Sequence, residues 1–371
     1  MKPTRRGGFR DVIAAIMAGG FGTRFWPLST PDRPKQFLTL LAGRSLYAEA
    51  FRRARLLVPP GRIVVCANQA HRALVAAQSP RMAAANVVYE PMRRDTAAAL
   101  ILAALFVERR WPGHVLVSMP SDHLVTGDRG FQATMEAAVA QARRGSLVTV
   151  GIPPTHPATG FGYLELAAPP AALKPQPVRR FVEKPRLATA RRYLASGRFL
   201  WNSGIFIWQA RRLLEEAARR LPATYNALAP LAGHIGRKTF ARKARQAFRR
   251  AKPVSVDYGI MEGARDVWVV PAAFQWSDVG GWGAAETLLA ADKNGNRAVG
   301  PVEFEEASRM LVITAGDRPV IVAGLRDAIV VQGAAGTLVC HKSAADGIKP
   351  LVNRVHGADA EESRRWPPSR S

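Results

Sequence analysis

Apolar residues run unbroken from Val12 to Met17, a length that suits a strand buried on both faces of an α/β sheet. Similar runs predict strands at Arg62–Ala67, Val87–Tyr89, His114–Met119 and Leu147–Gly151. Helical patterns fall between them. Leu46, Ala50, Ala54 and Leu57 form a stripe behind a Ser45 cap, and further helices are predicted at Gln69–Gln78, Ala97–Trp111 and Phe131–Arg143. Asp95 or Thr96 is placed to cap the third, leaving its N-terminal N–H groups for a ligand. This alternation predicts an α/β fold with a doubly wound, mostly parallel sheet and ligands at the carboxyl ends of its strands. Beyond Gly283 the texture changes: a helix to Ala291 is followed by short β segments at Met310–Thr314, Val320–Ala323, Ala328–Val331 and Thr337–His341. The expected organisation is a basic leader over 1–10, a main domain over 11–292, a small β domain over 293–356 and a polar tail over 357–371.

With 371 residues and 48% hydrophobic content, the chain can bury a sizeable core. The net charge of +25 admits a nucleic-acid or anionic-membrane partner, but arginine is spread along the whole sequence without a basic run interleaved with aromatics. A solvated basic surface is therefore expected, with no nucleic acid and no membrane as partner. The densest block, Arg237–Lys252, places Phe240, Ala244, Ala247, Phe248 and Ala251 at helical spacing, which predicts an amphipathic helix that could also meet an acidic partner. Cys66 and Cys340 are too few for a disulfide framework or a zinc cluster, so both are read as buried thiols in a cytoplasmic protein. Lys2, Arg5, Arg6 and Arg10 ahead of an apolar stretch imitate a signal peptide, but cleavage there would destroy the glycine turn that follows.

That turn carries the chemistry. Gly19, Gly20 and Gly22 let backbone N–H groups close around a phosphate, Thr23 and Arg24 follow, and Pro27, Pro31 and Pro34 hold an extended segment that brings in Lys35. Neither a P-loop nor a dinucleotide fingerprint fits, since no GK[ST] is present and Phe25 stands where the last glycine of GxGxxG belongs. For the short match alone, a glycine turn with two surface cations is the better explanation, and the whole stretch reverses that preference. The whole stretch GGFGTRFWPLSTPDRPKQF, residues 19–37, resembles the signature of the sugar-1-phosphate nucleotidylyltransferases, in particular the mannose-1-phosphate guanylyltransferase branch.

More of the family's motifs follow in its order as far as Trp282. EPMRRDTAAA, residues 90–99, resembles its nucleotide-side motif with Asp95 for Asn and Ala98 for Pro; the resemblance implies nucleotide contacts for Glu90, Arg94, Asp95 and Thr96, where a plain helix cap would serve as well. PSDH ends a buried strand with Asp122, chemically suited to magnesium, although a strand-end Asp is usually a turn former. His123 is read as its hydrogen-bonding neighbour. GIPPTHPATGFGYLE, residues 151–165, is similar to the sugar-side loop, with Phe161 where Tyr is common and Gly160 and Gly162 letting the backbone approach the hexose. RFVEKP and WNSGIFIW imply Glu183 and Asn202 on the sugar and Lys184 on its phosphate. VSVDYGIMEGA departs from the family's DYAVMEKA at Gly259 and Gly263, which is expected to loosen the helix, and WSDVGGW supplies Asp278 as the second metal candidate.

The resemblance implies a nucleotidyltransferase fold, a Rossmann-like doubly wound mixed sheet with a short left-handed β-helix behind it. It implies GMP transfer from GTP to α-D-mannose 1-phosphate, giving GDP-mannose and pyrophosphate, with Arg24, Lys35 and Lys184 catalytic and Mg2+ on Asp122 and Asp278; a homodimer is one assembly open to the chain, whose oligomeric state the sequence does not reveal. The isomerase domain that many relatives carry is expected to be absent. Rival readings are another sugar 1-phosphate and NTP pair, or a non-catalytic sugar-nucleotide-binding subunit.

Overall fold

The computed structural model describes residues 8–20, 25–39 and 43–356. They form two compact units, one from the chain up to Gly19 with Tyr47–Trp276, the other from Gly20–Leu46 and from Ser277 onward. The glycine-turn segment therefore belongs with the C-terminal strands, and residue 292 falls inside the second unit.

In the first unit the strands are β1 Val12–Ala18, β2 Ile63–Asn68, β3 Val87–Glu90, β4 Val115–Pro120, a short β5 Leu124–Thr126, then β6 Leu147–Ile152, β7 Tyr163–Leu166, β8 Gln176–Val182, β9 Phe199–Gln209 and β10 Val267–Pro271. All but β5 join one sheet of nine in the order β3-β2-β1-β4-β9-β6-β10-β8-β7. Strands β3, β2, β1 and β4 are parallel neighbours, as expected. Strand β9 then runs antiparallel between β4 and β6, so the sheet is mixed rather than mostly parallel. Its apolar residues are buried on both faces, which fits a central position whichever way the strand runs.

Helices α1 Leu46–Leu57, α2 Arg72–Gln78, α3 Asp95–Arg110, α4 Asp128–Ala142, α5 Leu187–Ser196, α6 Ala210–Arg220, α7 Pro222–Leu228 and α8 Phe240–Arg250 flank the sheet. Helix α3 is buried all round from Ala97 to Val107, as an apolar run of that length requires. Helix α8 buries Ala244, Ala247 and Phe248 and turns its arginines outward, as its spacing predicts. Some arginine is structural: Glu216, 1% exposed, accepts from Arg212, Arg219 and Arg220.

Several expectations are corrected. At the end of the expected leader Phe9 is buried and the Gly8 carbonyl accepts from Arg143, while Arg10 is exposed. Lys35–Phe37 forms one helical turn after Pro34 instead of extended chain. Gly259 and Gly263 lie at a π-helical turn, Asp257–Met261, and at its exit, and they are packing devices: added β-carbons would meet Leu221 at 2.9 Å and Arg220 at 2.4 Å. Cys66 is buried, whereas Cys340 is half-buried.

Strand β11, Gln275–Ser277, precedes α9 Trp282–Glu286, which stops short of the expected Ala291. The second unit then carries β12 Arg297–Val299, β13 Val302–Glu305, β14 Leu311–Thr314, β15 Val320–Ala323, β16 Ala328–Gly333, β17 Gly336–His341 and α10 Ile348–His356. Strands β12, β14 and β16 pair in parallel in one sheet and β13 with β15 in another, so the chain lays down alternate strands as a coil would; the β16–β17 hairpin closes it. Met310, Val312, Val322 and Val330 fill the space between. Segment 25–39 docks here: Trp282 Nε1 donates to the Trp26 carbonyl at 3.1 Å, and the Phe25 and Trp282 rings meet edge-on at 4.8 Å. Among the described residues no helix is long and apolar enough to cross a membrane.

Candidate active site

Strand β1 ends at Ala18, and a β-carbon on the next residue, Gly19, would lie 2.9 Å from Glu90 Oε1, at the end of β3. Glu90 is buried, and burial pushes its carboxyl up to about 7 against the pull of Arg93. At the start of α3 the Asp95 carboxylate accepts from Thr96 N at 2.7 Å, and the Thr96 hydroxyl accepts from Val256 N at 2.9 Å. The Thr96 side chain therefore caps a neighbouring segment instead of its own helix. Ala97 N donates to the Val254 carbonyl, so the first N–H groups of α3 are engaged within the protein. Arg94 donates through Nε to the Phe248 carbonyl at 2.6 Å and through Nη1 to the Arg93 carbonyl at 2.9 Å.

Asp122 leaves β4 in a turn tied to β1 by Ser121 N and the Met17 carbonyl, 3.1 Å apart. Trp276 Nε1 donates to His123 Nδ1 at 3.2 Å, so a neutral His123 carries its proton on Nε2, 3.8 Å from Asp122 Oδ1. A protonated nitrogen does not ligate a metal, which leaves the carboxylate, 40% exposed, as the donor. From this turn a series of edge-on aromatic contacts runs from His123 through Trp276, Phe161 and Trp201 to His156, at centroid distances of 4.8–5.3 Å.

Around Trp201 lie the predicted sugar-side residues. Asn202, opposite Gly151 in the β9–β6 ladder, accepts at Oδ1 from Thr149 Oγ1 at 2.8 Å and from Gly204 N at 3.3 Å. Those two donors fix the amide orientation. Its Nδ2 donates to Asp257 Oδ1 at 2.7 Å, which leaves one amide hydrogen for a ligand. Glu183, 8% exposed, pairs with the outward-facing Lys184 at 3.2 Å, while Asn202 N donates to the Gly162 carbonyl at 2.8 Å. Lys184 adopts φ +46, turned by the donation of its N–H to the Phe161 carbonyl.

In the second unit Lys35, 5% exposed, donates from Nζ to the Asp278 carbonyl at 2.7 Å, with the Phe25 ring centroid 5.6 Å from the ammonium. Gln36 Nε2 donates to the Gly20 carbonyl at 2.8 Å. The Asp278 carboxylate fills the space where a Gly280 β-carbon would sit. Gly22, Thr23 and Arg24 lie outside the described residues.

Residues 13–294 match the nucleotidyl transferase family. The chain belongs to that family. The xanthan biosynthesis protein XanB of Xanthomonas campestris pv. campestris (strain B100) is 37% identical over 357 residues, covering 95% of this chain and 75% of that protein. The mannose-1-phosphate guanylyltransferase of Escherichia coli (strain K12) is 34% identical over 361 residues, with the same coverage. A solved structure from Thermus thermophilus, described as a mannose-1-phosphate geranyltransferase, aligns with a TM-score of 0.82 at 31% identity over 93% of this chain and 99% of its own.

As a sugar-1-phosphate nucleotidyltransferase, the protein carries one polar residue at this cluster that sequence reasoning did not single out. Asp257 shares the buried cluster with Glu183, and burial first, then the Glu183 charge, pushes its carboxyl up to about 6. Burial raises Glu183 as well, opposed by Lys184. The signal lay in VSVDYGIMEGA, whose aspartate the motif already contained.

Proposed function

We propose that this nucleotidyltransferase moves GMP from GTP to α-D-mannose 1-phosphate and releases pyrophosphate. The observation that carries the reading is the bond from Lys35 Nζ to the Asp278 carbonyl, which joins the cationic signature segment to the WSDVGGW segment 243 residues later. Relatives named mannose-1-phosphate guanylyltransferase support the substrate pair.

An oxygen of the sugar phosphate attacks the α-phosphorus in line with the departing pyrophosphate. That oxygen is already anionic, so positioning and charge neutralisation suffice and no general base is required. Backbone groups at Gly19, Gly20, Gly22 and Thr23 cradle the triphosphate, Arg24 and Lys35 neutralise it, and Glu90, Arg94, Asp95 and Thr96 line the nucleotide. Lys184 meets the sugar phosphate, and Glu183 and the remaining Asn202 amide hydrogen meet the hexose hydroxyls beside Gly162. The carboxylate oxygens of Asp122 and Asp278 suit Mg2+, a hard ion bound by few carboxylates plus phosphates, which supplies charge neutralisation when bound. We infer a short left-handed β-helix for the second unit, supported only by the parallel pairing of its alternate strands, and a homodimer in the cytoplasm is the expected setting.

Pyrophosphate release measured across a panel of NTPs and sugar 1-phosphates tests the proposal. GTP with mannose 1-phosphate should be the best pair by kcat/KM. A clear preference for a uridine or thymidine nucleotide with glucose 1-phosphate would refute the substrate assignment while leaving the reaction class.

A further inference from the structure

Arg53, on α1, is 2% exposed. Its Nη2 donates to the His123 carbonyl at 3.0 Å, and its Nη1 has no hydrogen-bond partner among the described residues. Glu49 and Asp128, the carboxylates whose fields reach it, are held by its neighbour: Arg52 donates to Glu49 at 2.8 Å and in a fork to Asp128 at 2.6 and 2.8 Å. Burial pulls the Arg53 guanidinium down to about 10. A buried cation without an ion pair among the described residues is a cost that an apolar side chain of similar volume would avoid. What Arg53 holds in return is one backbone carbonyl in the turn of Asp122.

That turn is fixed at its start by Ser121 N on the Met17 carbonyl and at the imidazole by Trp276. The peptide group that follows His123 receives the bond from Arg53, and a charge-assisted bond of this kind is stronger than a neutral one would be.

We propose that Arg53 is a positioning residue: its guanidinium clamps the His123 carbonyl and so sets the backbone from which Asp122 presents its carboxylate to metal and phosphate. The inference rests on Asp122 being a metal ligand, as the proposed function has it. A purely structural arginine would stabilise the fold, whereas this one should hold the turn at some expense to the fold.

The test compares wild type, Arg53→Met and Arg53→Lys in the metal-free full chain by melting temperature and by amide hydrogen exchange over 121–124, then by the Mg2+ dependence of pyrophosphate release. Arg53→Met should melt at or above the wild-type temperature while exchange in the turn quickens about tenfold or more. The Mg2+ concentration for half-maximal turnover should rise about 10–100-fold, the range for losing a group that orients a metal ligand. Arg53→Lys keeps the charge but loses the fork, and should lie between the two. Wild-type exchange with wild-type Mg2+ dependence in Arg53→Met overturns the proposal; so does a lower melting temperature with unaltered exchange, which marks a packing role. Should Arg53→Met fail to fold, exchange and Mg2+ dependence in Arg53→Lys decide. An Asp122→Asn control separates the two claims. If that control keeps the wild-type Mg2+ dependence, the ligand assignment falls, while quickened exchange in Arg53→Met still supports the clamp.

Discussion

Gly162 and Glu183 share one space: a β-carbon on Gly162 would lie 2.5 Å from Glu183 Oε2 and 3.2 Å from the Phe181 ring. The carboxylate is the far end of a flexible side chain and can yield, so Gly162→Ala should fold with little change in melting temperature. Its effect should fall on the site, because the displaced carboxylate leaves the position beside Lys184 and Asp257. We expect KM for the sugar phosphate to rise about tenfold or more, the scale of one misplaced positioning group. Steady-state kinetics with unchanged KM would show that Glu183 does not touch the sugar.

Lys35→Met removes the buried ammonium but keeps most of the volume against Phe25. With the triphosphate bound as the proposed function has it, Lys35 should be worth a factor of about 100–1,000 in kcat. Turnover within a few-fold of wild type, measured by pyrophosphate release, would count against its catalytic role. The fold should survive.

Three carboxyls, Glu90, Asp257 and Glu183, are raised by burial and make stability depend on pH in an uncommon direction. Glu90, up to about 7, and Asp257, up to about 6, hold their protons in the folded state at pH values where the unfolded chain has released them. Their contribution is fully present below the ordinary carboxylate range and is lost as pH rises through 6 and 7, by at most on the order of 3 kcal/mol each. The melting temperature of the ligand-free protein should therefore fall between pH 5 and pH 8. Glu90→Gln and Asp257→Asn should each flatten that slope; a slope unchanged in both variants would contradict this account.

Gly130, in α4, faces the backbone of Ala273, whose carbonyl oxygen would lie 1.9 Å from an added β-carbon. Backbone cannot yield as a side chain does, and Ala273 N is also held by Thr134 Oγ1 at 3.1 Å. Gly130→Ala should destabilise by about 1–3 kcal/mol, the range for overpacking, seen as a lower urea midpoint at constant m-value. An unchanged midpoint would mean that α4 and the 271–274 segment separate without cost.

Much of the architecture was legible because local pattern carries it. Six apolar residues from Val12 force a buried strand, eleven from Ala97 force a buried helix, and the spacing of Phe240, Ala244 and Phe248 marks the inner face of α8. Candidates for the chemistry could be named from the sequence, since glycines, cations and strand-end carboxylates announce themselves by type. Strand β10 was passed over: VWVVP is a short apolar run whose pairing with β6 and β8 depends on strands more than 80 residues away.

By itself, then, the sequence determined the alternating strands and helices from β1 to β6, the buried faces of α3 and α8, and the residue types found at the strand ends. Only the tertiary structure decided that β9 enters the sheet antiparallel, that the Thr96 hydroxyl serves Val256 instead of its own helix, and that Asp257 stands behind Asn202. The reason is physical. Periodicity encodes what a segment must bury, whereas strand direction and polar partners are settled when segments far apart in the chain fill the same core and satisfy one another's hydrogen bonds.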